Sequence, residues 1–384
     1  MEGVTDQGII SVILERFDPQ FRPTLEAAAL LVLVGGVVAT AINPIIDLAF
    51  KVWRFFSWLW KTSTGWIQAT FFPPPPAPDL PSPMREIPEE RTVWETRRPL
   101  QPVFPNSQGI PIITIANMKG GVGKTTIAAN LAVCFRDKFN KPILLIDFDY
   151  QGSLSQSVRG EAGYTDPDIT ADILISPESA SIDPPMYARE MRRDLENISI
   201  YPTTYPFATI ENNLLATWLS SPSSDMMYRL CALLKLPAFQ GKYGAVIIDC
   251  PPRLTMGSIN ALCASTHLLV PTTLDDMSGQ AAEYFLAQIS RMSESVFPKL
   301  KVIGIVPTIV YQDGNTLIGE KRTRERLTNY GKAVWKRDDF VLVDGAVPRL
   351  ADISNYAGSG VASVRKRNVR QIFEKLAAEV EKRL

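Results

Sequence analysis

From Ile110 to the C-terminus, short apolar runs alternate with stretches of helical periodicity. The runs Ile112 to Ala116, Ile143 to Ile146, Ala245 to Ile248, His267 to Val270 and Val302 to Val306 are β-rich and almost wholly apolar. Strands without a polar face are buried on both sides, so the pattern predicts an α/β fold with a mostly parallel sheet and helices on both faces. Helical spacing is clearest over Thr125 to Phe135 and Gly279 to Met292. In such an architecture the chemistry belongs at the carboxyl ends of the strands.

Upstream the pattern changes. Ala27 to Ile46 carries no charge and is bracketed by Glu26 and Asp47. Twenty helical residues span about 30 Å, the hydrocarbon thickness of a bilayer. Asn43 and Pro44 interrupt the last turn. In Leu48 to Lys61, Lys51, Arg54, Ser57 and Lys61 recur at helical spacing among Phe50, Trp53, Phe55, Phe56, Trp58 and Trp60. A basic stripe opposite an aromatic one describes a helix lying among lipid headgroups. The expectation is a hydrophobic helical N-terminus that anchors the protein to a membrane, with an oligomerisation or partner-binding helix as the other reading. A cleaved signal peptide fits less well, because the residues before the apolar segment carry more acids than bases.

Eleven of the thirty prolines fall between Pro73 and Pro105, starting with the run Pro73 to Pro76. Such a segment favours extended polyproline geometry and acts as a semi-rigid spacer. The expected organisation is therefore an N-terminal segment 1–72, a linker 73–107 and a catalytic domain 108–384.

Composition narrows the chemistry. Lys plus Arg and Asp plus Glu both number 40, so no global field recruits a polyanion. A single histidine, His267, argues against His-based catalysis and most zinc sites. The four cysteines form no CxxC pair, which signals neither a disulfide framework nor a metal ligand set.

The strongest motif is Lys119-Gly120-Gly121-Val122-Gly123-Lys124-Thr125-Thr126, which follows the first strand and opens a helix. Closely spaced glycines let successive backbone N–H groups face phosphate oxygens, and the helix N-terminus adds its positive dipole. Lys124 can reach the β- and γ-phosphates, and the Thr125 hydroxyl is placed for Mg²⁺. Two strands end in acids: Ile143 to Ile146 runs into Asp147-Phe148-Asp149, and Ala245 to Ile248 into Asp249-Cys250-Pro251-Pro252. Carboxylates at that edge can hold magnesium or orient an attacking water.

At these residues the chain resembles the deviant Walker A ATPases of the ParA/MinD group, and within it the ParA partition ATPases. The likeness runs from about Ile110 to the C-terminus and includes KGGVGKTT, LLIDFDYQGSL, VIIDCPP and VPRLADISNYAGSG. The resemblance implies ATP and Mg²⁺ as cofactors, hydrolysis of ATP, and an ATP-dependent homodimer in which Lys119 of one subunit touches the phosphates held by the other. It implies Lys124 as the in-loop lysine, Thr125 and Asp249 as organisers of magnesium with Asp147 supporting that shell, and Asp149 as the group that positions water. Thr308, Pro348 and Arg349 are candidates near the base. It further implies a protein activator or cargo adaptor. Tyr150 departs from the pattern, since this family usually has proline after the second aspartate.

The expected function is a membrane-associated ATPase, its catalytic domain on the cytoplasmic side of a bacterial inner membrane, that positions or segregates a cargo. Non-specific DNA is a candidate partner, with Arg365, Lys366, Arg367 and Arg370 as its patch and Arg322, Arg324 and Arg326 as a second. Two other readings stay open. One is a regulatory ATPase subunit of a membrane machine for secretion, conjugation, polysaccharide export or defence. The other is a kinase of the bacterial tyrosine type, disfavoured because no tyrosine follows Tyr356.

Overall fold

The computed structural model describes residues 92–96, 109–162, 170–176, 188–190, 195–220, 225–293, 295–297, 299–311 and 318–384. All of them belong to one unit, Pro81–Leu384. The apolar stretch 27–46 and the aromatic stripe 48–61 lie outside the described residues. Among the described residues no helix is long and apolar enough to cross a membrane.

The first strand, β1 (Ile112–Ile115), is buried at every position, and so are β2 (Ile143–Asp147), β4 (Ile198–Tyr201) and β5 (Ala245–Asp249). They join β3 (Arg189–Glu190), β6 (His267–Thr273), β7 (Lys301–Val310) and β8 (Val347–Pro348) in one sheet of order β3-β4-β2-β5-β1-β6-β7-β8. Only β3 runs antiparallel, so seven strands are parallel. The expectation of a mostly parallel sheet covered on both faces holds.

The cover follows from the period of two along each strand. Ile112, Leu144, Ile146, Val246 and Ile248 point into one apolar cluster, while Ile113, Ile143, Leu145, Ala245 and Ile247 point into the other. On the second face lie α2 (Lys124–Lys138) and α12 (Arg367–Glu381), which bring Ile127, Leu131 and Phe135 against Phe373, Leu376 and Val380. The first face takes α4 (Phe207–Ser220), α5 (Asp225–Leu234), α7 (Met256–Ala264) and α8 (Asp276–Ser293). The remaining helices are α3 (Ser153–Ala162), α6 (Pro237–Lys242), α9 (Ile318–Trp335), α10 (Ala351–Tyr356) and α11 (Ala362–Arg365).

One turn differs from the expected organisation. Val93–Thr96 (α1) lies inside the stretch read as a spacer, yet it is docked. Trp94 is buried and stacks on Trp218 of α4 at 5.1 Å. Glu95 accepts two hydrogen bonds from Arg291 of α8, at 2.9 and 3.1 Å, while the amide and hydroxyl of Thr92 donate to the same carboxylate. Composition misses this anchor because a single buried indole outweighs the prolines around it.

Candidate nucleotide site

The order of the strands assembles the site. Because β5 is inserted between β1 and β2, Asp249 stands in register with Asp147 on one side and beside the end of β1, where the loop begins, on the other. That loop must wrap tightly, and Gly121 and Gly123 do so at φ 74° and 83°, a region closed to most side chains. Gly123 then caps α2. Thr308 of β7 fastens the loop from the other side, its hydroxyl donating to the Val122 carbonyl at 3.0 Å.

Lys124 is the first residue of α2 and is buried, its Nζ donating to the Lys119 carbonyl at 3.0 Å. Burial lowers its pKa and the attraction of Asp249 and Asp149 only partly offsets this. Thr125 Oγ1 donates to Asp249 Oδ2 at 2.7 Å. Asp249 Oδ1 is buried without a hydrogen-bond partner, and burial together with the nearby Asp147 holds this carboxyl well above the ordinary range. An orphaned oxygen of this kind beside a hydroxyl and a lysine fits a divalent cation completed by phosphate oxygens and water.

Asp147, expected to support the magnesium shell, is satisfied by groups of its own loop and of α3. Its Oδ2 accepts from the Ser155 amide and hydroxyl at 2.9 and 2.6 Å, and its Oδ1 from the Asp149 amide at 3.1 Å. Both oxygens are thus committed to shaping the loop that carries Asp149 and to holding the start of α3. Burial raises it to about 7, against the pull of Ser155. Asp149 itself is only 8% exposed, accepts from the Gln151 amide at 3.1 Å and faces the cavity.

That cavity, of about 790 Å³, extends from Gly120, Lys124 and Thr125 towards Pro348, Arg349 and Ile353. Arg349 is held by Tyr311, donating to its hydroxyl at 2.7 Å. The expected base-end residues Thr308, Pro348 and Arg349 therefore do share one cavity with the phosphate loop.

The basic patches are less open than the sequence suggests. Arg370 pairs with Glu374 at 3.0 Å and with Asp137, Lys366 pairs with Asp352 at 3.5 Å, and Arg326 pairs with Glu283 at 3.1 Å. Arg365 and Arg367 are exposed at the junction of α11 and α12.

Three neighbours of the site escape the sequence reading. Asp275 caps α8, accepting from the Ser278 amide at 2.9 Å and from the hydroxyls of Ser278 and Thr273. Burial opposes it, but those bonds and the Lys119 charge hold Asp275 down to about 2. Its signal was present: a Thr-x-Asp-x-x-Ser pattern before an apolar helix marks an N-cap. Glu211 of α4 is buried and accepts from the Gly257 amide at 2.8 Å, with burial raising its pKa. Arg253, on the loop after β5, lies over Tyr150. Nothing local foretells the last two.

A glycine-rich loop set between a central parallel strand and a helix, faced by buried strand-end acids, defines a P-loop nucleoside triphosphatase. A family model described as "AAA domain" matches residues 110–302, just over half of the chain, and the chain belongs to that family as a ParA-like P-loop ATPase. It is 29% identical over 249 residues to the chromosome partitioning protein ParA of Caulobacter vibrioides, covering 65% of this chain and 84% of that protein. Its fold is shared with a Cyanothece McdA solved as an ATP complex, at 18% identity and a TM-score of 0.57 over 72% of this chain and 98% of that one. The septum site-determining protein MinD of Pyrococcus horikoshii, complexed with Mg-ADP, aligns at 19% identity and a TM-score of 0.52 over 71% and 96%.

Proposed function

We propose that this chain is a membrane-tethered ATPase that alternates between an ATP-bound dimer and a released form and so positions or segregates a cargo. The observation that carries the reading is the Thr125–Asp249 hydrogen bond beside the orphaned Asp249 Oδ1, at the head of a loop whose glycines leave its amides free to face an anion. The partition role of the Caulobacter relative supports the cargo half, and the apolar and aromatic stretches within 1–72 support the tether.

In this reading Gly120 to Thr126 cradle the phosphates, and Lys124 neutralises charge at the β- and γ-phosphates. Thr125 and Asp249 hold Mg²⁺, which when bound offsets the charge of the phosphate oxygens. Asp149 accepts a hydrogen bond from the attacking water and orients it, with Asp147 fixing the loop behind it. Lys119 reaches the nucleotide of the partner subunit, which couples binding to dimerisation. The ATPase domain then works on the cytoplasmic face, where ATP is supplied.

The test is fractionation of the full-length protein and of a chain lacking residues 1–72, with ATPase assays and sedimentation with and without ATP. The reading expects the full-length protein in membranes, the shortened one in solution, and ATP to double the mass of an Asp149→Ala variant. A full-length protein that stays in solution, or a mass indifferent to ATP, overturns the tether or the switch respectively.

A further inference from the structure

We infer that Tyr205, Tyr150 and Arg253 form a row that positions Asp149. The strands β4, β2 and β5 are consecutive in the sheet, and the loop at the carboxyl end of each contributes one of these residues. Tyr150 meets Tyr205 edge-on at 5.9 Å, and the Arg253 guanidinium lies 5.2 Å from the centre of the Tyr150 ring. A cation over an aromatic face is attracted by the ring quadrupole. Among the described residues Arg253 makes no ion pair; its guanidinium lies over the Tyr150 ring, and the buried Glu211 carboxyl is near enough to feel its charge.

The arrangement matters because of what each residue adjoins. Tyr150 follows Asp149 directly and packs against the apolar core. Arg253 follows Pro252, which lines the cavity, four residues beyond Asp249. The hydrogen bonds to and from Asp149 are local to its own loop, from Gln151 and to Asp147. The Phe148 amide already donates to the Asp249 carbonyl at 3.0 Å, and the row adds the side-chain contact between the two loops beyond that point, where Asp149 stands. A carboxylate that orients water loses rate steeply when displaced, about a hundredfold for 1 Å.

This inference rests on Asp149 acting in hydrolysis, and the experiment separates the two. The full-length protein and its Arg253→Ala, Arg253→Lys, Tyr150→Leu and Tyr150→Phe variants are compared for kcat, for KM of ATP and for melting temperature. Arg253→Ala and Tyr150→Leu are expected to lose about tenfold in kcat with KM within about twofold. The pair combined should lose no more than either alone, and the lysine and phenylalanine variants should keep most of the rate. Unchanged kcat in an active background overturns the row, as does a loss shared equally by KM and melting temperature. A wild type that neither binds nor hydrolyses ATP removes the function and the row together.

Discussion

Thr125 and Asp249 are joined by a 2.7 Å hydrogen bond that links the start of α2 to the end of β5. The hydroxyl satisfies one oxygen of a fully buried carboxylate and leaves the other without a partner. Thr125→Val removes this donor at constant volume, so both oxygens become orphans, at a cost of about 1–3 kcal/mol. The expected outcome is a lower melting temperature without nucleotide and a turnover that no longer responds to magnesium; a variant with normal magnesium dependence contradicts the assignment.

Lys124 and Asp149 line one cavity but are expected to fail differently. Lys124→Ala should abolish ATP binding, because a buried ammonium at the loop is the charge that meets the phosphates. Asp149→Ala should bind ATP and lose about 10²–10⁴ in turnover, the range typical of a single acid or base. Titration with a fluorescent ATP analogue, followed by single-turnover hydrolysis, distinguishes the two.

His267 gives a pH dependence of known sign. Burial, with the nearby Lys301 charge, holds it down to about 4, against 6.5 in the unfolded chain. Its Nε2 is buried without a partner, and Nδ1 meets the Thr266 hydroxyl at 2.8 Å. Between these pH values the unfolded chain binds a proton that the folded one refuses, so the His267 contribution to stability falls as pH drops from about 6.5 towards 4 and is flat above, while Asp147, raised to about 7, contributes with the opposite sign. The effect is on the order of 3 kcal/mol in full. The melting temperature of His267→Gln relative to wild type should therefore rise as pH drops through that window; a difference that does not change with pH would show that His267 makes no such contribution.

Trp94 should matter although it sits among prolines. Trp94→Ala removes the stack on Trp218 and opens a cavity between α1 and α4, at a cost of about 3–5 kcal/mol. A chain starting at residue 98 should melt lower than one starting at residue 85, and equal melting temperatures would show that the turn is not part of the cooperative unit.

Much of the fold was legible because its signals are local. Five strands and the two longest-patterned helices are visible as apolar runs and helical periods, and the extra residues in β6 and β7 are end effects. The phosphate loop was legible for the same reason: glycines, a lysine and a threonine in eight consecutive positions specify backbone direction without help from elsewhere. For Asp147 the sequence shows an acid at a strand end but not the Ser155 hydroxyl that donates to its Oδ2.

The alternation of strands and helices, the loop that faces phosphate and the acids at the strand ends are all written locally, since each depends on neighbours a few residues apart. Long-range packing is what places β5 between β1 and β2, leaves an Asp249 oxygen unpartnered, sets Lys366 and Arg370 against carboxylates, and closes Trp94 onto Trp218. Those outcomes come from residues far apart in the chain, where burial of one surface against another chooses the partner and no local pattern records the choice.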